Sequence, residues 1–220
     1  MARARRRWSW DVDPALTHAV SYVARGLINA IEALTEPGDR VVVQTPIYPP
    51  FLHIAADLGR VIVPVPLGQP LPAEGARMIM LCNPHNPLGR VLRRDELNEI
   101  AQWAHEHDAV IVSDEIHGDI VYAPHEHIPI ASLDAETAAR TVTVVAASKA
   151  FNLAGLRCAV VACGSDATHE KLMALNPYSR DGVGILGIVA TEAAWSVEGD
   201  AWLASTVELL RANRDWLYPQ

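Results

Sequence analysis

Residues 142–152 read Val-Thr-Val-Val-Ala-Ala-Ser-Lys-Ala-Phe-Asn, and this stretch decides the fold. The first four residues form an unbroken run rich in β-branched side chains, which is typical of a strand that is covered on both faces. Small residues and Lys149 follow at once. The sequence therefore predicts that the lysine amine lies at the carboxyl end of a buried strand, where open α/β sheets hold their ligands.

Five similar apolar runs occur along the chain, at 41–43, 61–63, 78–81, 109–112 and 159–162. Helical periodicity separates them and is clearest for residues 23–34 and 93–107, where apolar side chains recur every three or four positions. From Gly182 onward the pattern is again helical, with a predicted interruption at residues 198–200. This alternation predicts an α/β layered domain with a mainly parallel sheet.

Lys149 and Asp114 are the first candidates for chemistry. Lys149 is one of only two lysines in the chain. A lysine partly withdrawn from water has a lowered pKa and can attack a carbonyl to form an imine, although a surface loop also accommodates a lysine. Asp114 ends another buried run. A carboxylate there is costly unless it meets a cation, such as a protonated pyridine nitrogen, or caps a helix.

Two proline-rich turns follow two further strands. Residues 83–89 read Asn-Pro-His-Asn-Pro-Leu-Gly, which holds the Asn86 amide in a rigid turn as a hydrogen-bond donor. Residues 45–51 read Thr-Pro-Ile-Tyr-Pro-Pro-Phe, so Tyr48 can stack on a flat heterocycle or pack in the core. An amine, a carboxylate, an amide and an aromatic face, each after a different strand, together suit a planar, phosphorylated aldehyde.

With these motifs in this order, the chain resembles the fold-type I enzymes of the class I/II aminotransferase superfamily, which use pyridoxal 5′-phosphate (PLP). Residues 45–51, 113–117 (Ser-Asp-Glu-Ile-His) and 148–156 (Ser-Lys-Ala-Phe-Asn-Leu-Ala-Gly-Leu) are most similar to the cystathionine β-lyase, or C-S lyase, branch. The resemblance runs from about Trp10 to the last helix. It implies a three-layer α/β/α large domain with a mainly parallel mixed sheet, and a homodimer.

The resemblance also implies roles for individual residues. Lys149 is the catalytic residue, which forms the Schiff base with PLP and later removes the substrate α-proton. Asp114 pairs with the pyridine nitrogen and Tyr48 stacks on the ring. The phosphate is expected at the amino end of the helix that begins near Val23, where free N–H groups and the helix dipole favour an anion. The remaining cofactor-binding candidates are Asn86, Ile116 and His117 around the ring, and Val23, Ala24, Ser148 and Arg157 at the phosphate, next to Tyr22.

The implied function is a C-S β-lyase that cleaves L-cystathionine or a related cysteine S-conjugate to pyruvate, ammonia and a thiol. An aminotransferase with the same lysine is one alternative, and a remnant that turns over nothing is another. Chains of the family are longer at both ends. Residues 1–10 are therefore expected to be a remnant of an amino-terminal arm, 11–200 the PLP-binding large domain, and 201–220 a helix towards a mostly absent small domain. The arginine that grips the substrate carboxylate in relatives has no counterpart.

Composition argues against a nucleic-acid-binding, a membrane-spanning or a metal-binding protein. The formal net charge of −8 gives no reason to expect nucleic acid or an acidic membrane as a partner. Apolar runs stop short of the ~20 residues that a membrane span needs. The basic run from Arg3 to Arg7 is interpreted as a solvated end. Three cysteines without metal-ligand spacing predict buried thiols in a reducing cytoplasm and no metal site.

Overall fold

A computed structural model describes residues 2–218 of the chain. Within this range the sheet has seven strands in the order β1-β7-β6-β5-β4-β2-β3. The strands from β2 to β6 run parallel, whereas β7 runs antiparallel to both of its neighbours. The predicted α/β class with a mainly parallel mixed sheet is therefore confirmed. The strands are β1 (Thr17–Val20), β2 (Arg40–Thr45), β3 (Val61–Pro66), β4 (Met78–Cys82), β5 (Val110–Asp114), β6 (Thr141–Val145) and β7 (Ala159–Cys163).

Helices cover both faces of the sheet. One face packs against α2 and α3, and the other packs against α4. The helices are α1 (Ala2–Trp8), α2 (Val23–Leu34), α3 (Pro50–Asp57), α4 (Arg94–Glu106), α5 (Ala135–Ala139), α6 (Asp166–Met173), α7 (Pro177–Arg180), α8 (Ile185–Ala194) and α9 (Val197–Leu217). None of those within residues 2–218 has the length and apolar character that crossing a bilayer requires.

The two cores follow from the alternation of side chains along buried strands. In β4, Met80 packs into the cluster that contains Ile31 of α2, whereas Leu81 packs into the cluster that contains Leu97 of α4. All four side chains are at most 1% exposed. Because burial of one such side chain contributes about 1.5–3 kcal/mol, the continuous apolar strands hold helices on both sides. The sheet is thus the middle of three layers.

Helix α2 approaches the sheet closely at Gly26. A Cβ atom at this position would lie 2.9 Å from Cγ1 of Val144 and 3.0 Å from Cγ2 of Val161. Real side chains do not pack at such distances, so glycine permits the approach. The amino end of α2 consequently lies near the carboxyl end of β6.

One boundary in the carboxyl-terminal region is corrected by the structure. The interruption predicted at residues 198–200 is wrong, because α8 ends at Ala194 and α9 begins at Val197. Ser196 caps α9, and its Oγ accepts a hydrogen bond from the backbone N–H of Gly199 at 3.0 Å. The acidic residues at 198 and 200 therefore lie in the first turn of α9, where their negative charges interact favourably with the helix dipole.

The basic amino-terminal run is also corrected. Residues 2–8 form α1, and Arg3 is buried, with only 6% of its surface exposed, although Arg5 is solvated. The three cysteines are buried and free, as predicted. The predicted segments 1–10, 11–200 and 201–220 stay a prediction: their boundary at 201 falls inside α9, and residues 1, 219 and 220 lie outside the described range.

Candidate active site

A cavity of about 250 Å³ lies at the carboxyl ends of the parallel strands. Its lining comes from the segments at the ends of β2, β4, β5 and β6 and from the start of α2, which agrees with the general rule that α/β sheets hold ligands at the carboxyl ends of their strands. All ten residues that the sequence predicted for the site line this one cavity: Val23, Ala24, Tyr48, Asn86, Asp114, Ile116, His117, Ser148, Lys149 and Arg157.

Asp114 places a buried carboxylate on the cavity wall. It is the last residue of β5 and is 6% exposed. Burial raises the pKa of Asp114 to about 7, against the opposing effect of a hydrogen bond of 3.0 Å from the backbone N–H of Ile116 to Oδ1. A cation bound against this carboxylate would stabilise its charged form.

Lys149 reaches the same cavity from the turn after β6, the strand that pairs with β5. Two backbone hydrogen bonds close this turn, from Phe151 N to Ala147 O at 2.9 Å and from Leu153 N to Ser148 O at 3.0 Å. The lysine is solvent-exposed, so its amine is accessible to a ligand that enters the cavity.

The two proline-rich turns are tied to each other. The backbone N–H of Tyr48 donates to the carbonyl oxygen of Asn86 at 3.1 Å. Behind them, the fully buried Asn83 accepts a hydrogen bond from Leu92 N at 2.9 Å through Oδ1. The backbone N–H of Asn83 donates to the carbonyl oxygen of Asp114 at 3.0 Å. Asn83 thus fixes the turn that carries Asn86, a role that was not predicted although Asn83 belongs to the same motif.

His117 and Ile116 continue from Asp114 along the cavity wall, and both are partly buried. Burial lowers the pKa of His117, and the positive charge of Lys149 lowers it further. The imidazole is therefore neutral at neutral pH and can serve there as a hydrogen-bond donor or acceptor, according to its tautomer.

The opposite end of the cavity suits an anion. Tyr22 precedes α2 without a side-chain capping hydrogen bond, and the first N–H groups of a helix, here those of Val23 and Ala24, have no partner inside the helix. The guanidinium carbon of Arg157 lies 5.6 Å from the centroid of the Tyr22 ring, and Arg157 has a left-handed φ of 48°. Ser148 adds a hydroxyl to the lining. Positive charge and unpaired N–H groups together favour a phosphate-like group.

A buried polar network that was not predicted from the sequence holds the segment around Asp114 on the side away from the cavity. Oε2 of Glu115 lies 2.9 Å from Nε2 of His127, and Oε1 accepts hydrogen bonds from Ser113 Oγ at 2.9 Å and from Ile130 N at 3.3 Å. The side chains of Glu115 and His127 are each 1% exposed. No local pattern could have linked two residues twelve positions apart on an irregular segment.

The rest of the lining is mostly apolar and was not predicted to line the site, although Pro50, Phe51 and Ala154 belong to the quoted motifs. It consists of Leu27, Pro50, Phe51, Cys82, Ala154 and Cys158. Burial, and next the charge of Asp114, raises the pKa of Cys82 to about 12, so this thiol is neutral. The cavity therefore combines apolar side chains with an anion-binding end, a buried carboxylate and an accessible amine. That combination suits a flat, phosphorylated carbonyl compound that carries a basic ring nitrogen.

Comparisons with known proteins agree with this geometry. The model of the family described as "Aminotransferase class I and II" matches residues 19–219. The chain is 35% identical to the cystathionine beta-lyase of Corynebacterium glutamicum over 96% of its own length and 59% of the relative's. It is 36% identical to the cystathionine beta-lyase PatB of Bacillus subtilis, over 95% and 58% of the two lengths.

A solved structure gives the same result at the level of the fold. The PLP-bound C-S lyase from Staphylococcus hominis superimposes with a TM-score of 0.89 at 26% identity, covering 98% of this chain and 59% of that one. The fold-type I large domain predicted from the sequence and its resemblance to C-S lyases are confirmed. The chain spans less than three-fifths of the length of the curated relatives described above.

Proposed function

Because the chain belongs to the family of class I and II aminotransferases, we propose that it forms the cofactor-binding part of a PLP-dependent carbon–sulfur β-lyase. The proposed reaction consumes water and cleaves L-cystathionine or a related cysteine S-conjugate to pyruvate, ammonia and a thiol. One observation carries the proposal: Lys149 and Asp114 line one cavity from neighbouring parallel strands. The two similar lyases favour β-elimination over transamination.

The residues of the cavity fit PLP at both of its ends. A buried carboxylate with a pKa of about 7 is poorly stabilised by the protein itself, and a protonated pyridine nitrogen would supply the missing counter-charge at Asp114. The amino end of α2 and Arg157 suit the phosphate. When bound, PLP supplies a conjugated ring that takes up the electron pair of the broken substrate Cα–H bond.

Lys149 has two tasks in this proposal. With PLP bound, its amine would hold the cofactor covalently, and Nζ, once free again, would accept the proton from the substrate Cα. Asp114 would keep the ring nitrogen protonated. Asp114 ends β5, and Lys149 lies in the hydrogen-bonded turn that follows the adjacent strand β6, so one sheet positions both side chains.

The other predicted residues orient the ring and hold the phosphate. The amide of Asn86 and the imidazole of His117 would hydrogen-bond to the phenolic oxygen of PLP, with Ile116 beside them and Tyr48 over one face of the ring. At the other end, the backbone N–H groups of α2 would bind the phosphate oxygens. The phosphate contacts are assigned to Val23, Ala24, Ser148 and Arg157.

We also infer a homodimer in the cytoplasm. Apolar side chains on α8 and α9 are exposed, which is unusual for a monomer and suits a surface that a second subunit covers; they include Ile185 (69%), Leu186 (71%) and Trp202 (51%). The three free, buried cysteines suit a reducing compartment.

An aminotransferase is the second candidate, and the description of the matching family favours it. It would use the same lysine, carboxylate and phosphate site, but Lys149 would return the proton to the cofactor instead of a β-substituent being lost. The fate of the substrate distinguishes the two reactions.

Product analysis tests the proposed function. The purified chain is incubated with PLP and L-cystathionine, and pyruvate and free thiol are measured. A β-lyase forms both in equal amounts, loses this activity in Lys149→Ala and keeps it in Lys171→Ala, which removes the chain's other lysine from an exposed position on α6. An α-keto acid that forms only with an amino acceptor would indicate the aminotransferase. No product from a folded, PLP-binding chain would indicate the inactive remnant.

A further inference from the structure

We propose that Arg3, on the amino-terminal helix α1, is a positioning residue that holds the two active-site turns together from outside the cavity. The inference rests on the proposed function, because the turns in question carry His117 and Lys149. Arg3 itself does not line the cavity.

Arg3 binds the turn that follows β5. Its Nη1 and Nη2 donate to Oδ2 and Oδ1 of Asp119 at 3.1 and 2.8 Å, a bidentate arrangement that fixes both position and orientation. Both residues are 6% exposed. Asp119 is two residues beyond His117, in a turn closed by a hydrogen bond of 2.9 Å from Ile120 N to His117 O.

The same guanidinium contacts the turn that follows β6. Its carbon lies 5.8 Å from the ring centroid of Phe151, which is two residues beyond Lys149. Phe151 and Ile120 belong to one apolar cluster with Leu203 of α9, so both turns pack against the same small core. Arg3 borders this core, since the rings of Trp8 and Trp195 also lie 5.6 and 5.9 Å from its guanidinium carbon.

A third contact links the turns to α9. Nε of Arg3 donates to Oδ1 of Asp200 at 2.8 Å, and Arg6 donates to Oδ2 of the same carboxylate at 2.6 Å. Burial tends to raise the pKa of Asp200, but its arginine partners outweigh burial, so the net shift is downwards and the carboxylate stays charged at neutral pH. One buried cation therefore joins α1, the turn after β5, the turn after β6 and α9. Among residues 2–218, the ion pair that Asp119 keeps after loss of Arg3 is the longer contact of 3.2 Å from Arg7 Nε.

The test compares Arg3→Ala with Arg60→Ala in the full chain. Arg60 is a comparably buried arginine, 9% exposed, whose guanidinium donates to the hydroxyl and carbonyl oxygens of Thr35 after the carboxyl end of α2, away from the cavity. Two quantities are measured: hydrogen–deuterium exchange of segments 115–121 and 147–153 in the PLP-free protein, and the dissociation constant for PLP. Arg3→Ala is expected to speed exchange in both segments and to raise the dissociation constant about tenfold, the scale of losing an outer-shell positioning contact.

Arg60→Ala is expected to lower the melting temperature while leaving both segments and PLP affinity unchanged. Arg3→Lys keeps the charge but loses the bidentate geometry, so it should restore part of the affinity. If Arg3→Ala does not fold, exchange of the two segments and PLP affinity are instead measured in Arg3→Lys and Asp119→Asn and compared with Arg60→Ala. Unchanged exchange in both segments, or an equal loss of PLP affinity in Arg60→Ala, would overturn the proposal. A wild-type chain that binds no PLP would refute the proposed function instead, while the exchange data would still decide whether Arg3 orders the turns.

Discussion

The carboxylate of Glu115 and the imidazole of His127 form a hydrogen-bonded pair, Oε2 to Nε2 at 2.9 Å, that is almost completely shielded from water. The pair lies directly behind Asp114, the residue whose carboxylate faces the cavity. It fixes the backbone where β5 ends, so the cavity wall depends on two side chains that do not reach the ligand site.

Removal of either member of this pair should destabilise the protein strongly. His127→Ala leaves the buried Glu115 without its main partner, and breaking a buried pair of this kind costs about 3–5 kcal/mol if both members are charged and ~1–3 kcal/mol if they are neutral. Urea unfolding of Glu115→Gln, His127→Ala and the double variant measures their coupling energy. An exposed His105–Glu136 pair serves as the control, with an expected coupling below about 1 kcal/mol. Equal coupling energies for the two pairs would contradict this account.

Stability of the PLP-free protein should fall as pH rises, because of Asp114. Its pKa is about 7 in the folded chain against 3.8 in the unfolded one. The folded state therefore holds the proton more tightly, and its stabilising contribution, complete below pH 4, is lost as pH rises through 7. Asp114→Asn removes this titration and keeps an oxygen for the N–H of Ile116.

The measurement is urea unfolding of wild type and Asp114→Asn at several pH values. Between pH 4 and 7, the free energy of unfolding of the variant should rise relative to that of wild type by at most about 1.4 kcal/mol per pH unit. Above pH 7 the difference should stay constant. It should nevertheless bind PLP less tightly, because the counter-charge for the ring nitrogen is gone. A stability difference that does not change with pH would show that Asp114 is not the titrating group.

Gly26 should tolerate no side chain. Gly26→Val places atoms within 3 Å of Val144, and overpacking of this kind costs about 1–3 kcal/mol. Because the amino end of α2 would move away from the sheet, PLP affinity should fall as well. Gly155→Val is the control with the same substitution, since a Cβ atom there meets no atom within 4 Å. The melting temperature should fall in Gly26→Val and stay close to that of wild type in the control. A Gly26→Val protein with an unchanged melting temperature would contradict the close packing of α2.

Much of the fold was predictable because the sequence signals were local and strong. Helix α2 begins at Val23 and ends at Leu34, as predicted, and six strands appear where apolar runs predicted them. Strand β1 was missed because its four residues include the polar His18 and it is defined mainly by antiparallel pairing with β7, far along the chain. Likewise, the interruption predicted at residues 198–200 lies nearer the amino terminus, because Ser196 caps α9 and Gly199 falls in its first turn.

For the site, too, some residues were predictable from the sequence and others were not. Residues that directly follow strands were predicted to meet, and they line one cavity, because the carboxyl ends of parallel strands converge by geometry. Their roles stay predictions. The supporting contacts could not be predicted, since Arg3 meets Asp119 across 116 positions and nothing in a short arginine-rich run indicates which arginine is buried.

Borohydride trapping shows whether Lys149 carries the cofactor. The chain is saturated with PLP, freed of excess, reduced with borohydride and digested, and the modified lysine is identified by mass spectrometry. The prediction is modification of Lys149, none of Lys171, and none of either lysine in Lys149→Ala. Labelling of Lys171 to the same extent, or labelling that persists in Lys149→Ala, would contradict the account.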